Sequence, residues 1–558
     1  MKRDSRLTII LIMIVGFLTV CPVIMLVFGS FSEGLSAFGK FTLEKYIAAY
    51  TDPELPKIIS NTVIFVLGAA LVATILALFL AYLNNRTDIP GKFLFKVISI
   101  TPMMIPHILF SVSWVLLLNP SNGILNLILK QFFGLENSPF NIYSLWGMIL
   151  VEGLLDMPIA YLIIAPAMAS FDVNLEESSR VCGAGIGQTL AKITLPVLRP
   201  AILAAFILCI VRCMASFAVP SVIGMPGRIY VLATHIYQTI SVGFAVDYGK
   251  AAAIGMSVLV ISITLIFLYR YLTSESEKYV TISSRGYHPT IIKLKKAKIP
   301  LFFILGLLLF ILIALPVLVL IYTSLVPYSM VPSAKAFSMM SLRHWHAVIK
   351  DPISILSLKN SLFLGIFGAT VGVILSLFVA YTIVRIRTKM SGILESLSFL
   401  SFSFPGIVIG IGFMWFFVRT PIYATIWTLL IGYIATYLPY GIRPLSSAFV
   451  QIHKHLEESS KVCGAGPLTT MWRIIIPLLV PGIVSGWILM ATMFLRELSL
   501  SVVLSRPGSE VLAVQILRFS GDGLWGRLSA LGIIMIVIST TLVALVSFIG
   551  AKLQPVIK

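Results

Sequence analysis

Charge is what this chain has least of. Asp, Glu, Lys and Arg make up 11% of its 558 residues, less than half the roughly 25% of an ordinary soluble domain. That shortage excludes a soluble globular protein. Cysteine is scarce too, at five residues, and the five form no disulfide framework. Cys182 and Cys463 fall in polar loops, while Cys21, Cys209 and Cys213 fall in apolar runs where the thiol serves as a small apolar group. There is no zinc spacing, redox motif or nucleophile–base constellation, which argues against a membrane-embedded enzyme. His344-Trp345-His346 offers two alternate imidazoles on one segment, a weak metal signal and a better match to an amphipathic stretch resting at a membrane interface. His453 and His455 read as solvated. No G-x-x-x-x-G-K-[S/T] loop occurs, so ATP-driven work by this chain needs a second subunit.

What is abundant is apolar sequence: 58% of the residues are hydrophobic and the mean hydropathy is +1.01. Runs of about 20 apolar residues, each long enough to cross a hydrocarbon core of about 30 Å as a helix, recur along the chain. They predict twelve spans: 7–29, 58–84, 95–118, 145–168, 198–222, 250–272, 300–323, 359–384, 396–418, 422–444, 479–502 and 528–550. The runs are continuously apolar and not alternating, so they are helices and not barrel strands. The opening stretch is too long for a signal-peptide core and no cleavage site follows, so it is expected to stay as the first span. The net charge of +19 needs no nucleic acid. With an inside N-terminus most Lys and Arg fall on the cytoplasmic side, the densest run lying between Arg270 and Lys298, as the positive-inside rule requires. Both termini are then cytoplasmic.

The chain repeats itself. Asn61 to Arg86 parallels Asn360 to Arg385 at an offset of 299, and Pro106 parallels Pro405. By Pro158 and Pro439 the offset is 281, so the first copy carries 18 extra residues, which fall in the polar stretch 119–144, an outside loop. Six spans per copy give both copies the same orientation, a parallel repeat about an axis along the membrane normal, with a pathway expected at the interface. The division is a first half 1–272, a basic cytoplasmic linker 273–299 and a second half 300–558.

The strongest repeat lies at 175–202 and 456–483. Glu177, Ser178, Ser179 and Gly183 recur as Glu458, Ser459, Ser460 and Gly464, and Pro196 as Pro477. Asn174 and Glu177 have capping-box spacing, so Glu177 is also open to a plain capping role; His455 at the matching place is a poorer cap. Gly183 and Gly464 suit a helix end in the left-handed conformation. Pro196 and Pro477 are expected to open spans five and eleven. An acidic residue, two small residues, a Gly and then Ile-x-Leu-Pro resembles the EAA loop of ABC-importer permeases, here at 173–196 and 454–477; the second copy reads Ile474-Ile475-Ile476-Pro477, a conservative departure.

Charges inside spans are costly, at least about 2.5–3.5 kcal/mol each on insertion scales. Glu152 and Asp156 share one helical face, Arg212 sits mid-span, and Arg496 and Glu497 occupy the place of Ala215-Ser216 in the other copy. Tyr433 and Tyr437 stand where Glu152 and Asp156 do. These seven residues are expected either to line a translocation pathway or, as with Arg212 and Asp156, to pair and lock helices together.

Over its full length the chain looks like a fused, two-half ABC-importer permease of the ferric-iron type, with Leu315-Pro316 and Leu495-Arg496-Glu497-Leu498 as further marks. The resemblance implies an all-α polytopic membrane protein, about twelve helices in two parallel six-helix repeats, in the bacterial inner membrane. It implies docking of two copies of an ATPase subunit on the two loops, a periplasmic or lipid-anchored solute-binding protein, no bound cofactor or metal and no catalytic residue, with ATP used by the partner. Iron is the cargo lean; thiamine, 2-aminoethylphosphonate, polyamine and inorganic anions are the alternatives. An ion-gradient-driven secondary transporter fits twelve spans but leaves the paired loops without a purpose.

Overall fold

The computed structural model describes residues 2–33, 40–100, 105–172, 174–241, 246–276, 293–401 and 404–553. Among them the chain is helical, with no strand beyond an isolated bridge between Ser32 and Phe41. Among the described residues nine helices are long and apolar enough to cross a membrane: Arg6–Ser30, Leu55–Arg86, Leu145–Ser170, Ile186–Ala215, Tyr248–Tyr269, Lys295–Leu325, Pro352–Ile386, Leu468–Leu495 and Trp525–Gly550.

The remaining three expected spans differ from continuous apolar helices. The run 95–118 is broken into Lys92–Ile100 and His107–Leu118, and the run 396–418 into Lys389–Leu400 and Gly406–Phe417. Each second piece starts behind a proline, Pro106 (φ −57°, ψ 134°) and Pro405 (φ −59°, ψ 132°), at equivalent places in the repeat. Proline lacks the amide that would continue the ladder and pushes the residue before it out of the helical region. The run 422–444 became Ile426–Gln451, long enough to span but less apolar than the nine because Tyr433, Tyr437, Tyr440 and Arg443 lie within it.

The helices gather into two compact units that cut across the sequence repeat. One is Pro53–His235 with Val260–Ser341; the other is Met1–Asp52, Ile236–Leu259 and Leu342–Lys558. In each unit the first span of one repeat packs on the broken third span of the other. Lys2–Ser30 lies against Lys389–Leu400 and Gly406–Phe417, and Lys298–Leu309 with Leu315–Leu325 lies against Lys92–Ile100 and His107–Leu118. The first crossing depends on Gly412, where a Cβ would land on the carbonyl of Pro22.

Small residues set the helix spacing inside each unit. Ala69, Ala73, Ala77 and Ala81, four apart on one stripe of Leu55–Arg86, are fully buried, and that helix lies along Leu145–Ser170. The matching stripe on Pro352–Ile386 is Gly368, Gly372, Ser376 and Ala380, also buried. Lipid offers no hydrophobic drive between helices, so close backbone approach at small side chains supplies the association.

Most of the expected linker, 277–292, lies outside the described residues. Its downstream end is fastened: Asp88 Oδ1 accepts the Leu294 amide at 2.9 Å, and Lys298 Nζ donates to Asp88 Oδ2 at 3.2 Å. The 18-residue excess at 119–144 contains a helix, Ile124–Phe133, which its polar neighbours concealed in the sequence. Buried Asn126 closes that loop, donating to the carbonyls of Leu118, Asn119 and Phe140 and accepting the Phe140 amide.

Candidate functional site

Each repeated loop folds as a short helix, a glycine reversal and the rod that becomes the next span. The first helices are Asn174–Val181 and His455–Val462. Both end at a glycine with positive φ, +85° at Gly183 and +79° at Gly464, the left-handed conformation that costs other residues roughly 1–2 kcal/mol. Asn174 is the first helical residue and not the cap; its amide donates to Asp172 Oδ1 at 3.0 Å, so an Asx turn two residues earlier starts the helix.

Pro196 and Pro477 do not open their spans. The rods run continuously over Ile186–Ala215 and Leu468–Leu495, and just ahead of each proline the helix widens into a π-turn, Leu190–Thr194 and Met471–Ile475. The Leu195 amide bonds to the Leu190 carbonyl and Ile476 to Met471, five residues back. Such a bulge accommodates the proline ring and its missing donor without ending the helix.

The two faces of each of these short helices are sharply different. Turned inward are the acids one place before the expected ones. Glu176 accepts from Thr194 Oγ1 at 2.7 Å and lies 3.4 Å from Arg86 Nε. At the same place in the second copy Glu457 meets Arg385 Nε at 2.9 Å. Arg86 also bonds the Phe171 carbonyl, and Arg385 the Ile452 carbonyl. Ser179 and Ser460 face this way as well, bonded to Thr189 and Thr470 at 3.0 and 2.8 Å. Turned outward are Ser178 and Ser459, Cys182 and Cys463, with Glu177 half-buried and Glu458 exposed. Val181 and Val462 are 88% and 87% exposed, an apolar knob at the tip of each helix.

Reading the sequence for the acid-small-small pattern missed Glu176, Glu457 and the valines. Their recurrence at the 281 offset, and that of Arg86 and Arg385 at 299, was the available signal. Glu458 also takes His455, whose Nδ1 lies 2.9 Å away; the imidazole beside it holds its carboxyl below the usual carboxylate range.

The intramembrane charges fall into two polar seams, one in each unit. In the first, Arg212 Nε pairs with Asp156 Oδ1 at 2.9 Å, Cys213 Sγ lies 3.4 Å from Asp156 Oδ2, and Ser216 donates to Glu152 at 2.8 Å. Glu152 and Asp156 are 5% and 1% exposed. In the second, Glu497 Oε1 accepts the Leu500 amide at 2.6 Å and Oε2 accepts the Tyr437 hydroxyl, while Tyr433 bonds Ser501 at 2.6 Å. Arg496 Nη2 reaches Met493 Sδ at 3.0 Å. Carboxylate and hydroxyl have changed sides between the repeats: Glu152 with Ser216 in one copy, Tyr437 with Glu497 in the other. Glu152, Asp156 and Cys213 bring their ligand atoms within 4.8 Å of one another. A guanidinium already bonded to Asp156 opposes a second cation there, and these contacts join Leu145–Ser170 to the end of Leu195–Ala215.

The family model described as binding-protein-dependent transport system inner membrane component matches residues 73–275 and 372–557, once in each repeat. The ferric transport system permease protein FbpB of Actinobacillus pleuropneumoniae is 27% identical over 539 residues, 96% of this chain and 76% of that one. The Fe(3+)-transport system permease protein FbpB 2 of Haemophilus influenzae is 22% identical, over 87% of this chain and 88% of that one. The spermidine/putrescine transport system permease protein PotC of Haemophilus influenzae is 29% identical over 35% of this chain and 75% of its own length. A solved bacterial ABC transporter involved in the import of alginate is 20% identical, over 51% of this chain and 98% of that one, with a TM-score of 0.38. The chain therefore belongs to the binding-protein-dependent transport system inner membrane components, the permease subunits of ABC importers, with both copies of the family domain in one polypeptide.

Proposed function

We propose that this permease imports ferric iron by alternating access. A solute-binding protein delivers the cargo at the outer face, and two copies of an ABC ATPase subunit dock on the loops 173–196 and 454–477 in the cytoplasm. ATP is bound and hydrolysed by that partner, and no cofactor is assigned to this chain. Both termini are cytoplasmic in this arrangement. The observation that carries the docking assignment is the pair of matching outward faces, acidic residue and apolar knob ahead of a left-handed glycine, each braced from behind by an Arg–Glu pair, buried in the first copy and half-buried in the second. A rigid helix with a projecting apolar tip suits a helix-in-groove partner.

Support for iron comes from the ferric relatives that align over most of the chain. The polyamine relatives align over about a third of the chain, and they make polyamine the second reading. The seams do not ligate cargo on this account. Most of their oxygens are engaged by neighbouring groups, and an import path needs only weak contacts. Radiolabelled ferric iron and spermidine uptake, measured in cells carrying the chain with its ATPase and neighbouring binding protein, tests the cargo. Uptake of spermidine without iron would replace the first reading by the second.

A further inference from the structure

We propose that the docking end of the unit containing the second loop carries a binding site for a phosphate-class anion, set between spans and fed from the cytoplasmic leaflet or the cytosol. The side of the membrane rests on the orientation proposed above. A cavity of about 460 Å³ opens there between the start of the first span, the end of Pro352–Ile386 and the helix His455–Val462. Arg385, Lys454 and Lys461 bring cationic groups to its wall, and Thr8, Tyr381 and Thr388 bring hydroxyls. Glu457 lies 2.9 Å from Arg385 and Glu458 takes a hydrogen bond from His455 at 2.9 Å, and with Arg385, Lys454 and Lys461 facing two carboxylates the wall stays net positive. Lys454, the cap of His455–Val462, and Lys461 in its last turn stand seven residues apart and bring two ammonium groups to the same cavity. Arg387, between two lining residues, holds φ at +45°, a left-handed backbone uncommon for a residue other than glycine that marks a shaped corner.

In the other repeat the lining residues differ, although Arg385 and Lys461 keep their charge as Arg86 and Arg180. Lys454 and Thr388 correspond to Val173 and Ile89, and Arg387 to Asp88. There Asp88 is bonded to Leu294 and Lys298, Ile89 is 2% exposed, and the Phe302 ring lies 3.1 Å from where a Cβ on Gly91 would be. Among the described residues, Asp88 and Ile89 are engaged and packed where Arg387 and Thr388 border the cavity. Basic pockets between spans on the cytoplasmic side suit acidic lipid headgroups. An anion bridging Lys454 and Lys461 to the ends of two spans would stiffen the second docking helix.

The test is a binding titration of the purified full chain in neutral detergent, followed by thermal shift. The probes are dihexanoyl phosphatidylglycerol, dihexanoyl phosphatidylcholine and inorganic phosphate. Phosphatidylglycerol should bind well ahead of phosphatidylcholine, and Lys454→Gln with Lys461→Gln should weaken it about thirtyfold, at about 1 kcal/mol per basic residue. Lys461→Arg should restore binding, and Lys295→Gln with Lys296→Gln, outside the cavity, should leave it unchanged. Inorganic phosphate binding as well, with the same lysine dependence, assigns the site to a free anion; phosphate without effect assigns it to the lipid headgroup. Equal binding by the double variant, or equal binding of the two lipids, overturns the proposal. Because detergent has no sides, orientation is read separately, by labelling Lys454→Cys in intact cells. Labelling from outside would sink the orientation and leave the anion site standing.

Discussion

The Arg86 guanidinium and the Glu176 carboxylate meet 3.4 Å apart with side chains 3% and 5% exposed, and Arg385 and Glu457 repeat the contact in the second copy. Each pair ties a docking helix to the end of the second span of its own repeat. The acid that braces the loop is therefore the neighbour of the acid turned outward.

Breaking one such pair leaves an uncompensated buried charge. Glu176→Gln and Arg86→Gln are each expected to lower stability by about 3 kcal/mol, read as a fall in melting temperature of the purified chain. Replacing both partners by apolar residues, Arg86→Met with Glu176→Leu, should recover much of that loss. A double variant as unstable as the worse single one would show that the pair is not the cause.

The seams make one prediction each, at a hydroxyl that donates to a buried carboxylate. Ser216→Ala removes a donor from buried Glu152, and Tyr437→Phe removes one from buried Glu497. Each should cost about 1–3 kcal/mol, the penalty of an unsatisfied buried group, with ATPase coupling retained in the protein that folds. Changed iron uptake at unchanged stability would instead mark these residues as pathway lining.

Asp88 gives a pH signature. The Leu294 amide, then the Lys298 ammonium, hold its carboxyl below the usual carboxylate range. A depressed folded pKa contributes stability above the unfolded value, about 3.9, and loses it as pH falls toward the folded value. Asp88→Asn should therefore lower the melting temperature at neutral pH and flatten its fall on the acid side. Because Leu294 and Lys298 sit downstream, cutting the chain near 285 and co-expressing the pieces should leave this fastening intact and restore uptake. Pieces that reach the membrane yet transport nothing would give the linker a role of its own.

The class, the repeat and the left-handed Gly183 and Gly464 were legible because composition and internal identity report them directly. Helix breaks at Pro106 and Pro405 were hidden inside apolar runs, since hydropathy does not register a missing amide. The π-turns before Pro196 and Pro477 were unreadable for a related reason: a proline signals a boundary in sequence, while a helix packed on both sides widens around it. The regrouping of first spans across repeats is a tertiary choice with no local signature. The inward and outward acids were separable only by helix phase, which adjacent glutamates leave ambiguous until their partners are seen.

The central claim, that the two loops seat an ATPase, is tested by the chain's own thiols. Cys182 and Cys463 are exposed at the loop tips, Cys209 and Cys213 are buried and Cys21 is half-buried. Maleimide labelling of the purified chain should modify Cys182 and Cys463 first. Adding the ATPase should slow both by at least about tenfold, and Glu177→Arg with Glu458→Arg should abolish that protection while the protein still folds. Labelling of both cysteines at the free rate with the ATPase bound would contradict the docking assignment.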